Sequence, residues 1–141
     1  MSEPLILITI QSLKLLVAAR YVREVLGERE WIPIPGTRQE IPGVVGWGRR
    51  AVAMLDLARV VPEALAIKIG EKRPRMLMLQ VADSHLAVPA DSVSSIVDVA
   101  DMDIRPRALS SFPLCRSEVH LNGQVLPLFD PMLLLEQTGV K

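Results

Sequence analysis

Short blocks of apolar residues, many of them alternating with polar ones, follow one another along this chain, and sustained helical periodicity is rare. Leu5–Ile10 is a near-continuous Leu/Ile block and predicts a strand covered on both faces. Gln11-Ser12 is the polar turn into a second strand over Leu13–Val17, so the chain opens with a hairpin. From Ala18 to Leu26 the residues Ala18, Tyr21, Val22 and Val25 fall at spacings of three and four, which suits a helical turn running into a strand. The pattern leaves the state of that segment open. Trp31-Ile32-Pro33-Ile34-Pro35-Gly36 is extended, because each proline fixes its own φ and keeps the preceding residue out of the helical region. Gly43–Gly46 and Ala51–Leu55 read as two strands about a glycine-rich turn, with Asp56 at the end and a short helix over Leu57–Val61.

Pro62–Pro74 carries prolines, a glycine and several charges, and is expected to be a linker. Beyond it Met76–Val81 and His85–Pro89 form a hairpin about Asp83-Ser84, and Val93–Val99 is a further strand. Asp101–Pro113, poor in apolar residues, is expected to be a surface loop. Val119–Leu121 and Val125–Phe129 flank Asn122-Gly123, the strongest short hairpin turn signal, and Pro131 opens a terminal helix.

These elements occur twice in the same order. Val17, Val22 and Val25 correspond to Val88, Val93 and Ile96 at a constant offset of 71, and Asp56 corresponds to Asp130 at an offset of 74. An ordered repeat of this kind predicts two similar β lobes. One lobe is expected over about residues 13–66 and the other over about 74–135, with the N-terminal strand available to both. No reactive residue is duplicated with the scaffold, which points to binding rather than catalysis.

Composition narrows the class further. With 141 residues, half of them hydrophobic, the chain can bury the core of one ordinary domain spanning 1–141. Lys plus Arg equals Asp plus Glu at 16 each, so no long-range field draws the protein to nucleic acid or an anionic membrane. The apolar run Leu5–Ile8 falls far short of the roughly 18 residues a membrane span needs, and direct membrane insertion is not expected. A single cysteine, Cys115, forms no internal disulfide and fits a reducing cytoplasm.

The search for chemistry finds no catalytic set. His85 and His120 have no ligand-spaced neighbours and suit surface or edge-strand positions, and Cys115 in an apolar setting suits a buried, inert thiol. Gly43, Gly46 and Gly48 precede a strand rather than a helix and lack the Lys-Ser/Thr of a phosphate loop. Asp56 and Asp130, each where a strand meets a helical turn, suit helix caps better than paired acid and base. No cofactor or metal is expected. The aromatics Tyr21, Trp31, Trp47, Phe112 and Phe129 do not interleave with basic residues, so Arg49-Arg50 and Lys72-Arg73-Pro74-Arg75 suit a solvated turn and linker better than a nucleic-acid platform.

LILITIQSLKLLVAARYVREV, followed by IPIPGTRQEIPGVVGWGRRAVAMLDLARVV, resembles the CheW-like domain, the coupling module of bacterial chemosensory arrays. Val22, Glu24, Val25, Pro33, Pro35, Gly43, Val44, Val45, Asp56 and Leu57 fall on the family pattern without a gap, and Asp91, Val93, Ile104, Arg105 and Pro106 match it more loosely. The resemblance implies a mainly β fold: two five-stranded SH3-like β-barrel lobes sharing one core, with short helices after the barrel strands and at the C-terminus. It implies a non-enzymatic cytoplasmic adaptor that couples the regulatory domain of a CheA-type histidine kinase to the cytoplasmic tip of methyl-accepting chemoreceptors, with other CheW-like proteins as further partners.

On that analogy Val22, Glu24, Gly43 and Trp47 lie on or near one binding face, and Val93 and Ile96 in a groove between the lobes. By residue type alone Val22, Val93 and Ile96 also suit burial. The chain departs from the family pattern at Gly48-Arg49, where Arg-Gly is usual, and at Ala53, where proline is common. Arg49 and Arg50 are then the candidates to face Glu24. Two alternatives stand beside the adaptor: an accessory relative that binds one partner without bridging, and a small β-barrel nucleic-acid module using Arg49, Arg50, Arg73 and Arg75.

Overall fold

The computed structural model describes residues 2–11, 13–35, 38–60, 72–100, 103–106 and 114–138. The N-terminal block forms the hairpin of β1 (Ser2–Ile10) and β2 (Leu13–Ala18), paired from Leu5↔Ala18 to Ile10↔Leu13. The open segment settles as a 3-10 turn over Ala19–Tyr21 leading into β3 (Val22–Leu26). The proline arm contributes β4 (Trp31–Pro33), and the glycine-rich stretch contributes β5 (Gly43–Trp47) and β6 (Arg50–Met54). A 3-10 turn at Leu57–Val60 follows. The second half supplies β7 (Arg75–Val81), β8 (Ser84–Ala90), β9 (Ser92–Ala100), β10 (Ile104–Pro106), β11 (Ser117–Leu121) and β12 (Gln124–Phe129), then helix α1 (Pro131–Thr138).

The linker expected over Pro62–Pro74 lies outside the described residues up to position 71, as does the loop expected over Asp101–Pro113 apart from residues 103–106. Three of those are strand, not loop: Ile104–Pro106 pairs antiparallel with Ser117–Val119, Ile104 opposite Val119. Pro106 is tolerated there because β10 is the end strand of its sheet, where proline is admitted.

The strands form two six-stranded sheets, ordered β9-β1-β2-β12-β11-β10 and β3-β7-β8-β6-β5-β4. Each order becomes the other when β1–β6 are exchanged for β7–β12. Sheet membership crosses the repeat. The first hairpin of each half, β1-β2 or β7-β8, inserts among the strands of the opposite half, through the parallel pairs Leu16↔Leu128 and Leu86↔Ala53.

The expected closed five-stranded SH3-like barrels are therefore corrected. Each sheet carries a sixth strand, β4 or β10, beside β5 or β11. The end strands β3 and β4, like β9 and β10, do not pair with one another, so both sheets are curled but open.

The sequence offsets reappear in space. One sheet encloses Val45, Val52, Met54, Met76, Met78 and Ala87, and the other encloses Val119, Leu126, Leu128, Leu5, Leu7 and Leu16, equivalent at offsets of 74 or 71. Between the sheets lies a third, shared core built from both hairpins, including Ile6, Ile8, Leu15, Val17, Leu77, Leu79, Val88 and Phe129. Each fully buried Leu, Ile or Phe there contributes about 1.5–3 kcal/mol. The shared core explains why the β1 and β7 sequences are apolar on both faces: one face lines a sheet's own interior and the other lines the junction.

Hairpin turns follow the same repeat. Gln11 and Ala82, 71 apart, have φ of 57° and 54°, and Gly48 and Asn122, 74 apart, have φ of 60° and 50°. Asp56 and Asp130 also act alike. Asp56 Oδ1 accepts from the Ala58 N–H at 3.2 Å and Asp130 Oδ1 from the Met132 N–H at 3.0 Å, each capping the turn or helix that follows. Arg59 Nε lies 3.2 Å from Asp56 Oδ2, and Arg116 Nε lies 2.9 Å from Asp130 Oδ2.

Candidate functional site

The candidate residues of the first half gather on the sheet that runs from β3 to β4. A register shift between Val22 and Glu24 turns successive β3 side chains, so Glu24 stands opposite Met78 on the side of the sheet's own core. Trp47, at the end of β5, packs against the same core. Its indole Nε1–H donates to Glu24 Oε1 at 2.9 Å. Three strands separate β3 from β5 in the sheet order, so this bond spans the open side of the curl rather than a ladder.

His85 on β8 meets the Trp47 ring edge-on, with centroids 5.5 Å apart and planes at 63°. Arg50 on β6 holds one guanidinium nitrogen 3.0 Å from the His85 ring nitrogens. Glu24, Trp47, His85 and Arg50 thus form one polar and aromatic chain across the sheet. His85 is the member that sequence reasoning set aside. It stands at the half-exposed start of β8, next to the run of buried residues that begins at Leu86.

Neither candidate arginine takes the expected place beside Glu24. Arg50 engages His85, while Arg49 is exposed in the two-residue turn between β5 and β6 and has no partner among the described residues. The indole of Trp47 fills the role instead. Position 48 requires φ of +60°, a conformation glycine accepts at no steric cost.

Gly43 contributes space rather than contact. A Cβ on it would lie 2.2 Å from the Ile32 carbonyl oxygen and 2.8 Å from Trp31 Cε3, so only glycine lets β4 and β5 approach this closely. Val22 and Val93 are half-buried against the shared core, and the Ile96 side chain lies outside the described residues while its backbone pairs with Ile6. The structure therefore brings Glu24, Trp47 and Arg50 together, and sets Val22 and Val93 at the junction of the sheets.

Apolar exposure was the other missed signal. Among the described residues the exposed large hydrophobics are Val25 (42%), Ile32 (65%), Ile34 (38%) and Val125. The first three belong to β3, to β4 and to the residue after β4, at the two ends of the sheet that carries Glu24 and Trp47. The alternation of Ile with Pro in Ile32-Pro33-Ile34-Pro35 marks an edge that presents isoleucine to solvent.

Among the described residues no group of three or more His, Cys, Asp or Glu is placed to hold a metal. Cys115 is buried in the shared core, and His120 Nε2 contacts Glu118 Oε2 at 2.7 Å. The basic run at 72–75 is largely engaged within the protein. Arg73 is buried beside Asp91 at 3.4 Å, and Lys72 lies 3.2 Å from Glu28. No described helix is long and apolar enough to cross a membrane.

Comparison with known proteins agrees with this picture. The fold matches the scaffolding protein TtCheW from Thermoanaerobacter tengcongensis with a TM-score of 0.76, at 13% identity, over 92% of this chain and 90% of that one. No curated protein matches the sequence. The family profile described as the CheW-like domain matches residues 4–139. With nearly its whole length on that profile, the chain belongs to the CheW-like domain family of chemotaxis scaffold proteins.

Proposed function

We propose that this protein is a non-enzymatic, cytoplasmic adaptor that couples a CheA-type histidine kinase to chemoreceptors, one domain using both halves of its repeat. The observation that carries the proposal is the Glu24–Trp47 closure, flanked by the exposed apolar side chains Val25, Ile32 and Ile34 on the end strands of the same sheet. A patch that joins apolar anchors to a fixed carboxylate and indole suits a protein partner, since exposed aliphatic and aromatic groups gain most from desolvation. Glu24, Trp47, Arg49 and Arg50 then serve one partner face, with Gly43 holding it in shape. Val22, Val93 and Ile96 serve the junction between sheets, where a receptor helix would lie.

The test is co-sedimentation of the purified chain with a kinase regulatory domain and with receptor signalling tips, separately and together. Joint recruitment of kinase to receptor in its presence supports the adaptor. Absence of binding to both removes it. Binding to one partner alone selects the accessory reading, which the departures from the family pattern at Gly48 and Ala53 favour. Binding to neither partner together with nucleic-acid binding that falls steeply with salt would select the nucleic-acid reading instead. The engagement of Arg50, Arg73 and Lys72 within the fold weighs against it.

A further inference from the structure

The network around His85 belongs to one half of the repeat only. At offsets of 71 and 74 the equivalents of Glu24, Trp47, Arg50 and His85 are Ser95, Leu121, Gln124 and Lys14. The second sheet forms the same hairpins without an aromatic ring, a carboxylate or an arginine at those places. Packing therefore does not require the network, and its chemistry is free to serve another purpose.

That chemistry is set by the contact of Arg50 with His85. One guanidinium nitrogen stands 3.0 Å from each of the two ring nitrogens. An atom at that range from both, in the plane of the ring, would collide with Cε1, so the guanidinium lies over the ring face and not along a lone pair. Arginine has donors only and a charge it does not lose, whereas imidazole changes charge between about pH 5 and 8. The contact therefore selects the neutral ring. An imidazolium there would set two cations 3.0 Å apart, with repulsion in place of attraction.

No other charge offsets that repulsion. β7 presents the neutral Gln80 opposite His85, and its amide donates to the Ala82 carbonyl at 3.3 Å. Trp47, at the end of β5, meets the ring edge-on, and Glu24 of β3 is engaged by the N–H of that indole. Asp83, exposed in the turn between β7 and β8, makes no ion pair with His85 or Arg50 among the described residues.

We propose that His85 is a proton-operated latch on Arg50. The neutral ring holds the guanidinium against the sheet, and protonation releases it to solvent. The surface beside Glu24 and Trp47 then gains a cation and loses a fixed arrangement. This role rests on the reading of that surface as a partner face, and makes recruitment through it sensitive to acid: full where the ring is neutral, weaker as the pH falls.

The test follows side-chain signals of the isotope-labelled full chain by NMR between about pH 8 and about pH 5. The Arg50 Nε–H signal is expected to move along the titration curve of the His85 ring, towards the position of Arg49, whose side chain is exposed in the adjoining turn. It should ignore the curve of His120, which lies on the other sheet against Glu118. In His85→Gln the Arg50 signal should stay flat over the same range. An Arg50 signal that is flat in the unaltered chain, that follows another group, or that still moves in His85→Gln would overturn the latch. The first two outcomes need no variant, so the test decides even where His85→Gln does not fold. Co-sedimentation with a kinase regulatory domain reads the consequence. It should weaken by about two- to fivefold on acidification, the size of an exposed charge contact. His85→Gln should lack that loss, which separates it from any pH response of the kinase itself, and an equal loss in both proteins would overturn the role in recruitment. The NMR titration holds no partner, so a flat Arg50 curve removes the latch and leaves the adaptor reading standing. Absence of kinase binding at either pH counts against the adaptor reading, and the Arg50 curve still decides the latch.

Discussion

Trp47 donates its indole N–H to Glu24 across the open side of a sheet in which β7, β8 and β6 lie between their strands, so a side-chain bond stands where a closed barrel would have a ladder. An exposed neutral-to-charged hydrogen bond contributes up to about 1 kcal/mol. Trp47→Phe and Glu24→Ala should each lower stability by about that amount or less, and a double-mutant cycle by urea denaturation should show coupling of about 0.5–1 kcal/mol. Zero coupling would mean the bond does not hold the curl. Both variants should weaken kinase or receptor recruitment by more than their small loss of stability implies.

The family's Arg-Gly order cannot be restored at no cost. Gly48 occupies φ +60° in the turn that joins Trp47 to Arg50. Gly48→Arg with Arg49→Gly places a side chain in the left-handed region, which costs roughly 1–2 kcal/mol. The swapped protein should melt lower than the parent by differential scanning calorimetry. A gain in partner binding despite that loss would identify the turn as a determinant of recognition.

Gly43 and Gly46 are expected to respond in opposite ways. Gly43→Ala drives a methyl into the Ile32 carbonyl and the Trp31 ring, and should cost about 1–3 kcal/mol as an overpacking change. Gly46 has nothing within 4 Å of a built Cβ, and Gly46→Ala in the same strand should be neutral or stabilising by about 0.5 kcal/mol. Chemical denaturation of the pair checks both. Equal effects would contradict the close approach of β4 and β5.

Asp56 is fully buried and serves the Ala58 N–H and Arg59 together, whereas Asp130 keeps partial exposure. Asp56→Ala should therefore cost more, about 2 kcal/mol against about 1 for Asp130→Ala, at the upper and middle of the range for a lost cap. Measured unfolding free energies in the reverse order would remove the distinction.

The exchange of hairpins predicts how the chain behaves when cut. A fragment ending at residue 60 holds β1–β6 but lacks the β7-β8 hairpin that completes its larger sheet, and the fragment from residue 72 lacks β1-β2. Each alone should lack a cooperative unfolding transition. Mixed at equal concentration, they should regain one, seen by circular dichroism. A fragment that folds alone would contradict the crossed pairing.

Much of the fold was legible as local elements, and less as their assembly. Leu5–Ile10, Leu13–Val17 and the Asn122-Gly123 hairpin carry their own signals, since strand burial and turn chemistry are written over a few residues. Asp56 and Asp130 were legible as caps for the same reason. That β2 pairs with β12 and β8 with β6 was not legible, because parallel pairing of segments so far apart leaves no mark on either sequence beyond apolar character. Ile104–Pro106 was missed because a three-residue edge strand has no period to detect. At the site, Glu24 and Trp47 were both singled out, yet their bond was not, since 23 residues separate them and only the curl of the sheet brings them together. The indole took the role expected of an arginine, which no spacing argument reveals.

Crossed hairpins also bear on the origin of the chain. A single copy of the repeat would hold one loose hairpin and one unfinished sheet, and could complete both only by exchanging with a second identical copy. Two such copies trading hairpins reproduce the twelve strands seen here. Fusing them end to end replaces a concentration-dependent association with an internal one, whose effective concentration is set by a short connecting segment. Halves joined in this way can differ from one another, and they do where Trp31 stands opposite Val45 but Ile104 opposite Val119.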